Sequence, residues 1–264
     1  MGTTGIVYLV GAGPGNPDLL TLKAAHLLGE AQVVVYDRLV GEGILDLIPV
    51  GASRIAVGKA PGLHCVPQAE INALLVASAR KGRRVVRLKG GDPFLFGRGS
   101  EEALYLRAHG IPFEVVPGVT AASAACAYAG IPLTHRGQSR VVQLVTGHLQ
   151  EGDALDLPWE SLAKAEGTLA FYMGLANLAQ IAGRLIGAGL DPQTPAAAIQ
   201  SGSLASQRRV IGTAASLPEL VEAAGLEAPV LIVFGAVVRL SEALNWFNPG
   251  TGELDDVSVY ASYR

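Results

Sequence analysis

Cysteine, charge, aromatic residues and long apolar runs are all scarce in this chain. Its 264 residues include only two cysteines, Cys65 and Cys126, too few for a disulfide scaffold or a four-ligand zinc site. Two reduced thiols in a cytosolic protein is the reading that follows. The five histidines are scattered, with no cysteine or carboxylate spacing that suggests a bound metal. Charged residues are 16% of the chain and the formal net charge is −3, so the basic surface of a nucleic-acid binder is missing. No basic segment leads into an apolar run at the N-terminus, which argues against a signal peptide. The longest apolar stretches, such as Pro229–Val238, are too short to span a bilayer. Together these absences predict a cytoplasmic protein with neither a membrane nor a nucleic-acid partner. The P-loop string, which closes on Gly-Lys followed by Ser or Thr, is absent as well, and with it that route to ATP.

Apolar residues and glycine are plentiful. Half of the chain is hydrophobic, and a chain of this length buries about 70–75% of its unfolded surface. The 33 glycines follow no three-residue period, so they mark turns and close backbone approaches. Ile6–Val10 is a β-branched run ending in glycines; Asp18–Glu30 has helical spacing; Val33–Tyr36 is a second buried run. Strand, glycine turn, helix and strand in this order make a βαβ unit with parallel strands. The alternation continues through strands at 54–57, 84–88 and 113–116 and helices at 68–81, 101–109 and 120–128. After breakers and charge at 130–140 it restarts, with strands at 141–146, 169–173, 196–200, 208–213 and 229–234 and a helix at 175–188. The fold class is α/β, with an N-terminal domain at 1–136 and a C-terminal domain at 137–247. Residues 248–264 form a tail that lacks a core pattern, for which mobility is the expectation.

The loop Gly11-Ala12-Gly13-Pro14-Gly15 stands between a strand and a helix, where glycine lets a ligand approach the backbone. It is close to the dinucleotide fingerprint, and Asp37 lies where that motif places its ribose-binding acid. The third glycine is missing, since position 16 is Asn, and Pro14 removes a backbone donor that a diphosphate would need. A sulfonium nucleoside has no such need. A second glycine string, Lys89-Gly-Gly-Asp-Pro-Phe-Leu-Phe-Gly-Arg-Gly99, also follows a strand. Two such turns in one parallel sheet face the same way, toward the carboxyl ends of the strands, where ligands bind.

The strings VYLVGAGPGNPDLLTLKAAHLL, VVVYDRLV, VGK, HCVPQAEIN, VVRLKGGDPFLFGRGSEE, VVPGVTAASAACAYAGIPLTHR, VTGH and FYMGL resemble those of the uroporphyrinogen-III C-methyltransferases, in the tetrapyrrole methylase family. The likeness covers residues 5–247. It implies two α/β domains with the cofactor in the cleft between them, and a homodimer. It implies S-adenosyl-L-methionine as methyl donor, with Pro14, Gly90, Gly91, Asp92, Leu95, Thr120, Ala121, Met173 and Gly202 lining its site and Pro229 and Val230 bordering it. Met173 would otherwise read as core filler. The implied reaction is methylation of uroporphyrinogen III at C2 and C7, through precorrin-1 to precorrin-2, on the cobalamin and sirohaem branch.

The chemistry adds candidates within the same strings. A substrate with eight carboxylates calls for cations, and arginine forks match carboxylates best; Arg38, Arg98, His135 and Arg136 are the candidates. Arg140, Arg208 and Arg209 read as surface residues. Methyl transfer to a pyrrole carbon needs alignment and exclusion of water, and then a base to take the departing proton. Asp37 is the candidate base, or else a ribose ligand or helix cap. Lys59 is the candidate acid, or a cation that tunes Asp37 or binds a carboxylate.

Overall fold

A computed structural model describes residues 4–58, 66–148 and 155–249. The chain divides into two compact units, 1–120 and 121–264.

The first unit alternates strand and helix: β1 (Ile6–Gly11), α1 (Leu22–Gly29), β2 (Val33–Tyr36), α2 (Glu42–Leu45), β3 (Ser53–Ala56), α3 (Gln68–Arg80), β4 (Arg84–Lys89), α4 (Gly99–Ala108) and β5 (Phe113–Val116). The strands form one sheet in the order β3-β2-β4-β1-β5, and every pairing is parallel. Side chains alternate across a strand, so β4 sends Val85 to a core with Leu75 and Val76 of α3 and Leu106 of α4. It sends Val86 and Leu88 to the opposite core with Ala24 and Leu28 of α1 and Ile44 of α2.

The second unit holds α5 (Ala121–Tyr128), β6 (Val142–Thr146), α6 (Trp159–Lys164), β7 (Thr168–Tyr172), α7 (Leu178–Gly187), β8 (Pro195–Gln200), β9 (Arg208–Thr213), α8 (Leu217–Ala224) and β10 (Val230–Phe234). Its sheet runs β6-β7-β10-β8-β9. Only β6 and β7 pair in parallel; β10 runs against both β7 and β8, and β9 against β8. One face packs on α6, α7 and α8. The other packs on α5, whose Ala122, Ala125 and Cys126 are buried with Ala197, Ile199, Leu231 and Val233 of β8 and β10. Small alanines let that helix sit close to the sheet, and this packing is why residues 121–136 group with the second unit, ahead of the 136/137 boundary expected from the sequence. Burial pushes the Cys126 thiol up to about 12, so it stays protonated and inert.

The expected helix at 18–30 is shorter than its pattern. A 3-10 turn at Pro17–Leu19 precedes α1, which starts only at Leu22 after the cap Thr21, whose Oγ1 accepts from Ala24 N–H at 3.2 Å. Helix α8 has Pro in its first turn and the left-handed Gly225 as its C-cap, the usual asymmetry of helix ends. No helix among the described residues is long and apolar enough to cross a membrane.

Candidate functional site

At the carboxyl edge of the first sheet, the loops after β4, β1 and β5 interlock through glycine. Gly13 and Gly91 exchange both backbone hydrogen bonds, at 3.1 and 2.7 Å, and Ala12 N–H donates to the Lys89 carbonyl at 2.7 Å. A Cβ on Gly11 would stand 2.5 Å from the Gly118 nitrogen and 2.7 Å from the Gly91 oxygen. Asp92 braces the assembly: its Oδ1 accepts from Phe94 N–H at 2.8 Å and its Oδ2 from Gly118 N–H at 3.0 Å. Both carboxylate oxygens therefore hold backbone. Gly91 has φ +66, in the left-handed region, and a Cβ there would meet nothing within 4 Å, so it forms the open side of the cradle. Pro14 and Leu95 lie half-buried in these same loops.

This cradle fits a nucleoside without a diphosphate. Glycine leaves backbone groups accessible, but α1 begins too late for its N-terminal amides to sit at the first loop, as a dinucleotide site would require. Lys89 is buried and tied to Glu102 at 3.1 Å.

In the second unit, four more candidates share one edge. Strands β7 and β8 end there and β10 begins there, since Val230 pairs with Gln200 and Ile232 with Phe171. Met173 follows β7, Gly202 follows β8, and Pro229 and Val230 open β10; Ser201 N–H donates to the Pro229 carbonyl at 3.2 Å. Met173, Ser201 and Ser203 have φ of 54, 49 and 72. Such conformations cost about 1–3 kcal/mol each and gather at functional sites. A Cβ on Gly202 would lie 2.6 Å from the Ala125 Cα, so glycine is what admits α5. The hydroxyl of Tyr172 accepts from Ala122 N–H at 3.0 Å, which brings Ala121 to this edge. Thr120 and Ala121 are where the chain passes from one unit to the next.

Asp37 follows β2 and is held from below. Its Oδ1 accepts from Arg87 Nη2 at 2.6 Å, and its Oδ2 lies 3.7 Å from Lys89 Nζ. Arg87 and Lys89 alternate with apolar residues on β4 and so share the face covered by α3 and α4. There the fully buried Glu102 of α4 accepts at one oxygen, Oε1, from Arg87 Nε at 3.0 Å, Lys89 Nζ at 3.1 Å and the Gln68 amide of α3 at 3.1 Å. Burial first, and then Arg87, lower the Lys89 pKa against the opposing pull of Asp37 and Glu102. Sequence reasoning passed over Arg87, Glu102 and Gln68 and gave Lys89 no role. A signal was present: two cations inside a central parallel strand must be paired, because an unpaired buried charge is prohibitive.

The cationic candidates are dispersed. Arg38 is exposed beside Asp37, its backbone packed on Gly58; Lys59 lies outside the described residues. Arg98 is the left-handed cap of α4 and is bidentate to Glu101, at 2.9 and 2.8 Å. That bond raises the Arg98 pKa and lowers that of Glu101. Both groups are more than half exposed, so the pair is worth about 0–1 kcal/mol, and a substrate carboxylate could replace Glu101 at small cost. His135 and Arg136 are exposed in a turn closed on Ser139. Ser139 bonds Thr168 at the start of β7, the end opposite Met173, so the structure does not bring them to the edge that carries Met173 and Gly202. Arg208 donates to the last carbonyls of α8 and Arg209 to the Ala129 carbonyl, structural roles in both cases.

A parallel sheet with a glycine cradle at its carboxyl edge, followed by a mixed α/β unit, defines a nucleoside-dependent enzyme class rather than one reaction. Residues 6–218 match the family of Tetrapyrrole (Corrin/Porphyrin) Methylases, and the chain belongs to that family. It is 55% identical over 254 residues to a siroheme synthase of Pseudomonas fluorescens, covering 96% of this chain and 54% of the relative. The chain thus spans about half the length of the curated relatives it matches. A uroporphyrin-III C-methyltransferase of Thermus thermophilus, solved with S-adenosyl homocysteine, is 43% identical with a TM-score of 0.76, covering 89% of this chain and 99% of that one. A cobalt precorrin-4 methyltransferase is 28% identical with a TM-score of 0.79, covering 88% and 95%. The two α/β units are those of the tetrapyrrole methylase fold.

Proposed function

We propose that this protein transfers methyl groups from S-adenosyl-L-methionine to C2 and C7 of uroporphyrinogen III, giving precorrin-2 by way of precorrin-1 for the cobalamin and sirohaem branch. The observation that carries this reading is the glycine cradle, which lacks the helix N-terminus a diphosphate would need, on a chain 43% identical to a uroporphyrin-III C-methyltransferase that was solved with S-adenosyl homocysteine. The precorrin-4 enzyme has a comparable TM-score at 28% identity, so the choice of substrate rests on the higher identity and not on fold.

S-adenosylmethionine supplies an electrophilic methyl on a positively charged sulfur. Pro14, Gly90, Gly91, Asp92, Leu95, Thr120, Ala121, Met173, Gly202, Pro229 and Val230 bind it, and Asp92 also holds two of the loops in place. Correct alignment of two reactants contributes about 7–11 kcal/mol. Asp37 presents a fixed carboxylate that accepts the proton lost after methylation, a step worth about 10²–10⁴ in rate, with Lys59 as the acid. Arg38 and Arg98 hold acetate and propionate arms, while His135 and Arg136, at the far end of β7, lose that role. The working assembly is a cytoplasmic homodimer.

Calorimetric titration with S-adenosylhomocysteine and NAD, followed by supply of uroporphyrinogen III with S-adenosylmethionine, tests the reading. The expected result is binding of the first ligand only, with homocysteine-nucleoside release dependent on uroporphyrinogen III. Binding of NAD alone, or no release, would overturn it.

A further inference from the structure

Four charged side chains, Asp37, Arg87, Lys89 and Glu102, cluster where the carboxyl end of β4 meets α4. Replacing a buried ion pair with packed hydrophobic residues is often neutral or stabilising, and β4 already carries Val85, Val86 and Leu88 in its two cores. Stability therefore gives no reason for Arg87, Lys89 and Glu102. The arrangement is also lopsided. Oε1 of Glu102 takes all three hydrogen bonds, while its fully buried Oε2 has no partner among the described residues. A carboxylate placed for its own sake would be satisfied at both oxygens. Its negative charge is instead spent on fixing two cations, and Arg87 spans from Glu102 through Nε to Asp37 through Nη2. The guanidinium is planar and rigid, so anchoring one edge orients the other.

We propose that Glu102 and Arg87 are positioning residues for methyl transfer: Glu102 anchors the Arg87 fork, which clamps Oδ1 of Asp37 and so fixes the orientation of its carboxylate. Neither residue touches the substrate. The proposal rests on the reading of Asp37 as the group that receives the proton. The charged and polar groups facing Glu102 are Arg87 and Lys89 from β4 and Gln68 from α3; Asp37 after β2 is joined to it through Arg87 and Lys89, with Arg98 and Glu101 near its own helix coupled to the cluster through space.

A double-mutant cycle on the full chain tests it, with Asp37→Asn and Glu102→Gln read as kcat, KM for uroporphyrinogen III, S-adenosylhomocysteine affinity and thermal midpoint. Glutamine keeps the shape and one acceptor but loses the charge. Glu102→Gln is expected to lower kcat by about 10–100-fold and to shift the pH profile of kcat, with cofactor affinity near wild type. In the Asp37→Asn background it should lower kcat no further, because both changes remove one function. Additive losses, or a wild-type kcat and pH profile for Glu102→Gln, would overturn the proposal. Arg87→Lys keeps the charge but not the fork; it should couple to Asp37→Asn in the same way and carries the test if Glu102→Gln does not fold. An Asp37→Asn protein with normal turnover would instead refute the role of Asp37, and a wild-type protein inactive on uroporphyrinogen III would refute the proposed function itself.

Discussion

A single methyl group added at Gly118 has nowhere to go. An alanine Cβ there would overlap the Gly91 carbonyl oxygen and stand 2.8 Å from the Gly11 Cα and 2.9 Å from the Gly11 carbonyl carbon. All three contacts are backbone, so no side chain can swing aside. Gly118 is not among the positive-φ glycines, so its own conformation accepts alanine and only the close approach is perturbed. Overpacking of this kind costs about 1–3 kcal/mol. If the loops stay in place, Gly118→Ala loses that amount in urea unfolding. If they move apart, the cradle is misshapen and S-adenosylhomocysteine affinity falls instead, by about 5–150-fold for the same energy. The control is Gly183→Ala, on the exposed side of α7, where a Cβ meets nothing within 4 Å; it should gain about 1 kcal/mol from helix propensity. Wild-type values for both stability and affinity in Gly118→Ala would refute the interlocked-loop account.

Asp92→Ala removes the acceptor for two backbone N–H groups; hydrogen bonds to a charged group contribute about 1.5–3 kcal/mol each, so urea unfolding should show a loss of that order together with weaker S-adenosylhomocysteine binding. The lowered Lys89 pKa means the unfolded chain binds the extra proton between the folded value and 10.5, so this group makes stability rise with pH across that window; urea midpoints of the wild type should climb there more steeply than those of Lys89→Met. Arg98→Ala should change stability by no more than about 1 kcal/mol, because its pair with Glu101 is exposed, while KM for uroporphyrinogen III rises; an unchanged KM would remove Arg98 from the substrate site.

The first unit was legible because its signals are local. Short β-branched runs set β1, β2, β4 and β5, and the glycine strings after β1 and β4 marked the carboxyl edge. The start of α1 was misplaced because Leu19 and Leu22 both fit a helical stripe, while the Thr21 cap and the turn at Pro17–Leu19 decide the boundary. The antiparallel pairing of β10 with β7 and β8 depends on tertiary contacts that periodicity does not encode. Pro14 and Asn16 correctly weakened the dinucleotide reading. Asp92 was singled out in the second glycine string; that it also binds backbone at both oxygens depends on the fold of β5 beside β1, which the sequence does not show. Glu102 was invisible for the same reason: it lies 15 residues from Arg87 in an ordinary-looking helix, and only the packing of α4 on β4 joins them.

The most direct test of the central claim is the mass of the product formed from uroporphyrinogen III and excess S-adenosylmethionine. The account predicts a tetrapyrrole heavier by two methyl groups, with two S-adenosylhomocysteine molecules released per macrocycle and a singly methylated species appearing first. An unmodified macrocycle, or a product methylated only when a later, already methylated precorrin is supplied, would contradict it.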